Sequence, residues 1–203
     1  MIRLFALLLL LAAPAAAQDL PALFDVTDVA TDDVLNVRDR PEAGAGLVGT
    51  LAHDARDIEV VTTRGGWGRV NVGERAGWVA MRFLDRQPGS WQDFDAPLDC
   101  FGTEPFWDAT LSPFAASRLG GLGMASRTLD PRVDTGALGP GGASRRIVMF
   151  STPDGAMTAL VETNACNDGM SDRNFGLSIA LAADRLGGGG SGGTLYGCCT
   201  LGH

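Results

Sequence analysis

Short apolar runs alternate with turn residues along the first half of the chain. Five runs rich in β-branched and aromatic residues are separated by Gly, Pro and Asp, and they span residues 34–38, 48–51, 57–62, 67–72 and 77–80. Runs of this length and spacing are typical of strands in a small β-barrel rather than of a helical domain. In the fourth run, Val70 and Val72 share one strand face, opposite Trp67. We expect both valines to face the interior of a domain that spans residues 24–86.

The second half of the chain also carries strand patterns. Apolar side chains alternate with small or polar ones from Phe175 to Leu181, which indicates a half-buried strand. Residues 147–150 and 156–161 are two further expected strands, joined by a tight turn at residues 153–155. We therefore expect a second β domain at residues 100–203.

Two segments lack a strand pattern. Residues 87–99 hold two prolines, a glycine and three acidic residues, which indicates a linker, and Trp91 and Phe94 within it suggest that it packs against a domain. Residues 187–193 are almost all glycine. A phosphate-binding loop is the alternative for this tract, but no Lys-Ser/Thr pair and no helix pattern follow it. We interpret it as a loop.

The first residues have the pattern of a secretory signal peptide. Arg3 precedes an apolar run at residues 4–11, and small residues ending at Ala17 form an A-x-A cleavage site. A retained membrane anchor is the alternative, but the run is about half of the ~20 residues that span a bilayer. We expect cleavage after Ala17, a periplasmic product and no integral membrane segment after cleavage.

Export changes the interpretation of the four cysteines. Cys100, Cys166, Cys198 and Cys199 form an even set, and an oxidising compartment favours disulfides. A bond between the neighbours Cys198 and Cys199 would close a strained ring, so we expect each of them to bond to one distant partner. A zinc site is the alternative, but the chain has no C-x-x-C pair. We expect no metal.

Composition excludes several classes of function. The net charge is −8, and the 16 basic residues, all arginine, face 24 acidic ones. This balance argues against nucleic acid as a partner. Without lysine there is no Schiff-base or phosphate-loop chemistry, and the two histidines, His53 and His203, leave little material for a His-activated nucleophile. No motif indicates a cofactor.

Four sequence segments in the first half carry a family resemblance. They are L-N-V-R-x-x-P at residues 35–41, V-G-T-L at 48–51, G-G-W-G-R-V at 65–70 and A-G-W-V at 76–79. In this order they resemble the bacterial SH3-like (SH3b) family. The resemblance implies a small barrel attached to an envelope or cell-wall protein, where some members bind peptidoglycan or peptides.

Four residues of this domain are candidates for a shallow binding surface: Arg38, Trp67, Arg69 and Trp78. Tryptophan and arginine are frequent anchors of recognition sites because they combine a large contact area with a polar group. The structural alternative is that Trp78 belongs to the core and that Arg38 fixes the long loop beginning at Asp39.

Three motifs in the second half carry another resemblance. G-x-E-P-F-W at residues 102–107, C-x-D-x-M-S-D at 166–172 and G-C at 197–198 resemble a poorly characterised family of proteobacterial envelope proteins and lipoproteins. The resemblance implies a small β domain, a bond between Cys166 and Cys198, and hence one between Cys100 and Cys199. The candidate motif residues are Glu104, Trp107, Asp168, Met170, Ser171 and Asp172.

These observations lead to one main hypothesis and two alternatives. The expected fold is all-β, with a signal peptide, a small SH3-like barrel and a disulfide-linked second β domain. We expect an exported, non-enzymatic protein that binds peptidoglycan, a peptide or an envelope protein. The first alternative is a cell-wall hydrolase in which Glu104 works with Asp168 or Asp172, although acidic residues in turns usually serve as caps. The second is an inhibitor that blocks the basic site of an exported enzyme.

Overall fold

The computed structural model describes residues 19–92, 96–112, 115–121, 126–138, 144–152, 155–185 and 192–202. The expected signal peptide, Phe94, the turn residues Pro153 and Asp154, most of the glycine tract and His203 lie outside these ranges. The described chain is all-β, with one short 3₁₀ turn at Met81–Phe83. Its strands form two domains.

The N-terminal domain consists of two antiparallel sheets. Its strands are β1 (Ala22–Val26), β2 (Val34–Arg38), β3 (Leu47–Ala52), β4 (Ile58–Val60), β5 (Thr62–Arg64), β6 (Trp67–Val72), β7 (Arg75–Ala80) and β8 (Leu84–Arg86). Three strands pair in the order β4-β1-β8, and five pair in the order β3-β2-β7-β6-β5. Alternation of apolar and polar residues places one face of each sheet in a shared core that includes Phe24, Val37 and Val60.

The strand runs of this domain agree with the sequence pattern, with two differences. Val70 is fully buried and Val72 packs against the same core, so the predicted direction of the two valines is confirmed. The expected single strand at residues 57–62 is two strands, because Val61 lies where the chain passes from one sheet to the other. The first of them begins only at Ile58, after Asp57, which adopts a positive φ. Strands β1 and β8 were not predicted, and β1 begins before Phe24.

The barrel domain is a closed ring of eight antiparallel strands. They are β9 (Leu98–Thr103), β10 (Phe106–Leu111), β11 (Ser117–Gly121), β12 (Arg127–Leu138), β13 (Ser144–Thr152), β14 (Gly155–Cys166), β15 (Phe175–Ala183) and β16 (Gly193–Leu201). The order is β10-β11-β12-β13-β14-β15-β16-β9, and β9 also pairs with β10 to close the ring. The core includes Leu98, Leu111, Phe150, Leu177 and Leu181, all essentially buried.

The barrel extends the predicted strands and shortens the predicted linker. The alternation from Phe175 to Leu181 is confirmed as β15, while the runs at 147–150 and 156–161 are the centres of the longer strands β13 and β14. The linker expected at residues 87–99 ends earlier, because β9 begins at Leu98. Trp91 is buried in the barrel core, so the linker does pack against a domain.

Two disulfides cross-link strands of the barrel, and together they include all four cysteines. Cys100 bonds to Cys199, its direct partner across β9 and β16, inside the barrel core. Cys166, at the end of β14, bonds to Cys198. Cys198 and Cys199 point to opposite faces of β16, which lets two adjacent cysteines serve two different bonds. This is the pairing that the family resemblance implied.

Candidate functional site

A groove of about 450 Å³ lies on the N-terminal domain. Its walls come from the β1–β2 loop, β2, the first residue of β6 and the 3₁₀ turn. The side chains that determine its chemistry are Asp28, Asp33, Arg38, Trp67, Arg82 and Phe83. Aromatic surface therefore lies next to both acidic and basic groups, a combination that suits a peptide ligand.

Arg38 has two roles in this groove. It lines the groove, and its Nη1 donates a hydrogen bond to the Ala45 carbonyl at 2.8 Å. Ala45 belongs to the loop that begins at Asp39, so Arg38 fixes that loop, as the structural alternative proposed. The same contact holds the guanidinium in place at the groove wall.

The four predicted binding residues do not form one surface. Arg38 and Trp67 line the groove, whereas Trp78 is only 8% exposed and lies 5.3 Å below the Arg69 guanidinium. Arg69 itself donates from Nε to Asn174 Oδ1 of the barrel domain at 2.6 Å. Trp67 and Arg69 share one face of β6, but successive positions of that face meet different neighbours. Sequence periodicity predicts which residues share a face of a strand, but it does not predict whether water or another domain covers that face.

The second half of that face forms the junction between the two domains. Asn71 Nδ2 donates to the Asn174 carbonyl at 2.8 Å, and the Asn174 N–H donates to Asn71 Oδ1 at 2.9 Å. Nearby, the Asp172 N–H donates to the Glu74 carbonyl and the Ala76 N–H donates to the Asp172 carbonyl, both at 3.0 Å. Residues 172–174 therefore attach to the β6–β7 hairpin largely through main-chain atoms.

A close backbone approach reinforces the junction. A Cβ atom on Gly176, at the start of β15, would lie 3.0 Å from Cδ of Pro21 in the N-terminal domain. Only glycine gives the proline ring this much room without displacement. The two domains therefore pack against each other at the beginning of β15 as well as at the hairpin.

The C-x-D-x-M-S-D motif shapes the segment that makes this junction. The Asp168 carboxylate accepts hydrogen bonds from the N–H groups of Met170 and Ser171 and from the Ser171 hydroxyl, at 2.8–2.9 Å. Burial raises the pKa of Asp168, but these hydrogen bonds and the charge of Arg173 outweigh it and lower that pKa below its ordinary value. Asp168 thus has the capping role given as the alternative to catalysis.

The other motif residues have mainly structural surroundings. Trp107 is buried in the barrel, and its Nε1 donates to the Tyr196 carbonyl at 3.3 Å. Glu104 is exposed in the β9–β10 turn, and Met170 is 68% exposed. A general acid of a glycosidase needs a raised pKa, and that of Asp168 is shifted the opposite way.

A buried carboxyl at the junction was not predicted. Glu59 lies in β4, and its Oε1 is buried without a hydrogen-bond partner. Burial raises the pKa of Glu59 to about 8, against the opposing effects of a hydrogen bond from the Leu201 backbone and the charge of Arg173. A cavity of about 160 Å³ adjoins it, lined also by Asn71, Arg173 and Thr200. The sequence places Glu59 on the polar face of a strand, which gives no sign that a second domain covers it.

Two further findings concern metal binding and membrane-spanning helices. Among the described residues, no group of three or more His, Cys, Asp or Glu side chains could hold a metal ion. The same part of the chain contains no helix with the length and apolar character needed to cross a bilayer.

Comparison with known proteins adds no relative. No family model, no curated protein and no solved structure matches the chain. The two family resemblances therefore rest on the sequence motifs alone, and function has to be argued from the geometry.

Proposed function

We propose that this protein is an exported, non-enzymatic binding protein of the bacterial envelope. In this proposal the N-terminal domain is an SH3-like module whose groove holds an extended peptide, such as a stem peptide of peptidoglycan or a segment of an envelope protein. The observation that carries the proposal is the groove itself, in which Trp67 and Phe83 lie beside oppositely charged side chains.

The charge distribution of the groove favours a peptide. Asp28 and Asp33 suit ammonium groups and backbone N–H donors, while Arg38 and Arg82 suit carboxylates and carbonyl oxygens. Arg82 lies 4.4 Å over the Phe83 ring, which orders its guanidinium before a ligand arrives. A stem peptide offers both kinds of charge along an extended backbone.

The cysteines and the first residues support the proposed compartment. Two disulfides persist in an oxidising environment, and the pattern at residues 1–17 directs a chain to export. The barrel domain supports the binding module in this proposal, because residues 172–174 hold the β6–β7 hairpin that carries Trp67.

Co-sedimentation with purified peptidoglycan tests the proposal. We expect the oxidised protein without residues 1–17 to sediment with intact sacculi and not with glycan strands from which an amidase has removed the stem peptides. Trp67→Ala should weaken binding about tenfold or more, because an anchoring aromatic typically contributes at least 1–2 kcal/mol. Tyr196→Ala removes a 72% exposed aromatic of the barrel domain and should leave binding unchanged.

Two results would count against the proposal. Absence of sedimentation with sacculi would exclude wall peptides, and equal binding by Trp67→Ala would exclude the groove. A fall in the turbidity of the same suspension that depends on Glu104 would instead show a hydrolase.

A further inference from the structure

A second cavity, of about 510 Å³, opens between the two domains. One wall is formed by β5 and β6 of the N-terminal domain, and the other by the end of β14 and the start of β15. The polar side chains that matter for its chemistry are Thr62, Arg69, Thr163, Asn164 and Asn174. We call it the junction cleft.

Arg69 is the only charged side chain among the described residues that line the junction cleft. Its Nε donates to Asn174 Oδ1 at 2.6 Å, and its guanidinium lies 5.3 Å from the centre of the Trp78 ring. These two contacts fix the plane of the guanidinium, and the described residues occupy only one of its three nitrogens. The two terminal nitrogens remain available to a ligand.

The charge of Arg69 is not neutralised within the described part of the protein. No carboxylate there forms an ion pair with it, although acidic residues outnumber basic ones in the whole chain. Arg69 is partly buried, and this burial lowers the pKa of its guanidinium below the ordinary value, because water is removed without an opposite charge in exchange. A partly desolvated and preoriented guanidinium is a strong partner for an anion.

The surrounding side chains match a planar oxyanion. Thr62 and Thr163 offer hydroxyl donors and Asn164 offers an amide donor, on both walls of the junction cleft. A carboxylate fits a guanidinium in a bidentate manner and has lone pairs left for such donors. Val61 and Ala165, which are not fully buried, add apolar surface for the carbon atoms that carry the carboxylate.

We propose that the junction cleft is a carboxylate-binding site with Arg69 as its anchor. The site is separate from the groove: Trp67 lines the groove, and Arg69 lines the junction cleft two residues further along β6. The carboxylate can come from the C-terminal end of a peptide or from an acidic sugar. Both sources would bind to the same anchor, Arg69. A small peptide acid and a small sugar acid are therefore tested separately to distinguish them.

The test uses the oxidised protein without residues 1–17 and three probes. They are N-acetyl-Ala-Ala with a free carboxylate, the same dipeptide as its C-terminal amide, and glucuronate. Binding is followed by calorimetry and by the NMR signal of the Trp78 indole, which lies under Arg69. We expect the dipeptide acid to bind and to shift this signal, and the amide to bind about tenfold more weakly or worse. A stronger response to glucuronate would identify an acidic sugar as the preferred source.

Matched variants locate the site. Arg69→Gln should weaken binding of the acid about tenfold or more, because it removes the charge-assisted pair. Thr163→Val replaces an exposed strand residue by one of similar shape and leaves every junction hydrogen bond named above in place. It should weaken binding severalfold, because it removes a hydroxyl donor of the cleft. Arg64→Gln removes an exposed arginine of β5 that does not line the cleft, and binding should not change.

The proposal fails under either of two outcomes. One is the absence of binding by both acids up to about 10 mM, a concentration that detects an interaction of less than 3 kcal/mol. The other is binding that is equal for acid and amide, that Arg69→Gln leaves unchanged, or that Thr163→Val leaves unchanged. The groove experiment with sacculi does not depend on either result, because it is read out through Trp67.

Discussion

Glu59 shows how the chemistry of one residue depends on a neighbouring domain. Its carboxyl group is buried at the junction, where Asn71, Arg173 and Thr200 line the adjoining cavity together with Asp57. Among the described residues, Arg173 is the one positive charge that acts on it, and the guanidinium of Arg173 lies 5.2 Å from the ring of Phe175. The attraction is weaker than the cost of burial, so the pKa of Glu59 rises to about 8.

This raised pKa predicts a pH-dependent stability. The pKa of Glu59 rises from 4.5 to about 8 on folding, so between these values the folded state keeps a proton that the unfolded chain releases. The free energy of unfolding should therefore fall as the pH rises through this window, by up to about 1.4 kcal/mol per pH unit from this group. Glu59→Gln should remove this slope and be more stable than the unaltered protein at pH 8.

Urea unfolding at a series of pH values between 4 and 9 measures the slope. Glu74→Gln is the matched control, because Glu74 lies exposed in the β6–β7 turn of the same domain. Parallel pH profiles for Glu59→Gln and the unaltered protein would show that the Glu59 carboxyl is not responsible.

At the scale of an element, residues 167–174 form a preshaped docking segment. Asp168 fixes its turn, the Thr103 hydroxyl donates to the Asp168 carbonyl at 2.9 Å, and the Cys166–Cys198 bond holds its start. The sequence predicts the turn, since Asn, Asp, Gly and Ser are turn formers. It cannot predict the docking, because Asp172 binds the N-terminal domain through its main chain, which no side-chain pattern reveals.

The two disulfides should therefore have different local effects. Replacing either pair by alanine should cost about 3–5 kcal/mol of unfolding free energy, since the bonds close loops of 99 and 32 residues. Only Cys166→Ala with Cys198→Ala should also accelerate hydrogen exchange at the Asp172 and Ala76 amides, because only this bond holds the docking segment.

Native-state hydrogen exchange by NMR makes the comparison, with Cys100→Ala plus Cys199→Ala as the control pair. Equal protection of the two amides in both double variants would show that the docking segment is held without its disulfide.

At the scale of the whole molecule, the sequence predicts individual strands better than it predicts the closure of the barrel or the contact between the two domains. Alternation identified β6 and β15 because one face of each strand is apolar. It did not reveal the eight-stranded ring, since β9 begins inside a proline-rich stretch that resembles a linker. It also made Arg69 a candidate for an open binding surface, because polar residues on a strand look alike whether water or a second domain covers them.

The junction should make the two domains unfold together. Interfaces between domains permit relative motion unless specific contacts prevent it, and Asn71 supplies two such contacts by bonding both backbone groups of Asn174, which is 103 residues away in sequence. Asn71→Ala removes both hydrogen bonds and leaves the Asn174 amide and carbonyl without these partners, at a cost of about 1–3 kcal/mol. Calorimetry should show one transition for the unaltered protein and two for Asn71→Ala, with the N-terminal domain melting first because it lacks disulfides.

Asn36→Ala changes an exposed asparagine of the same domain and should keep the single transition. If Asn71→Ala also melts in one step at an unchanged temperature, then the main-chain contacts of Asp172 and the packing of Pro21 against Gly176 couple the domains without the asparagine.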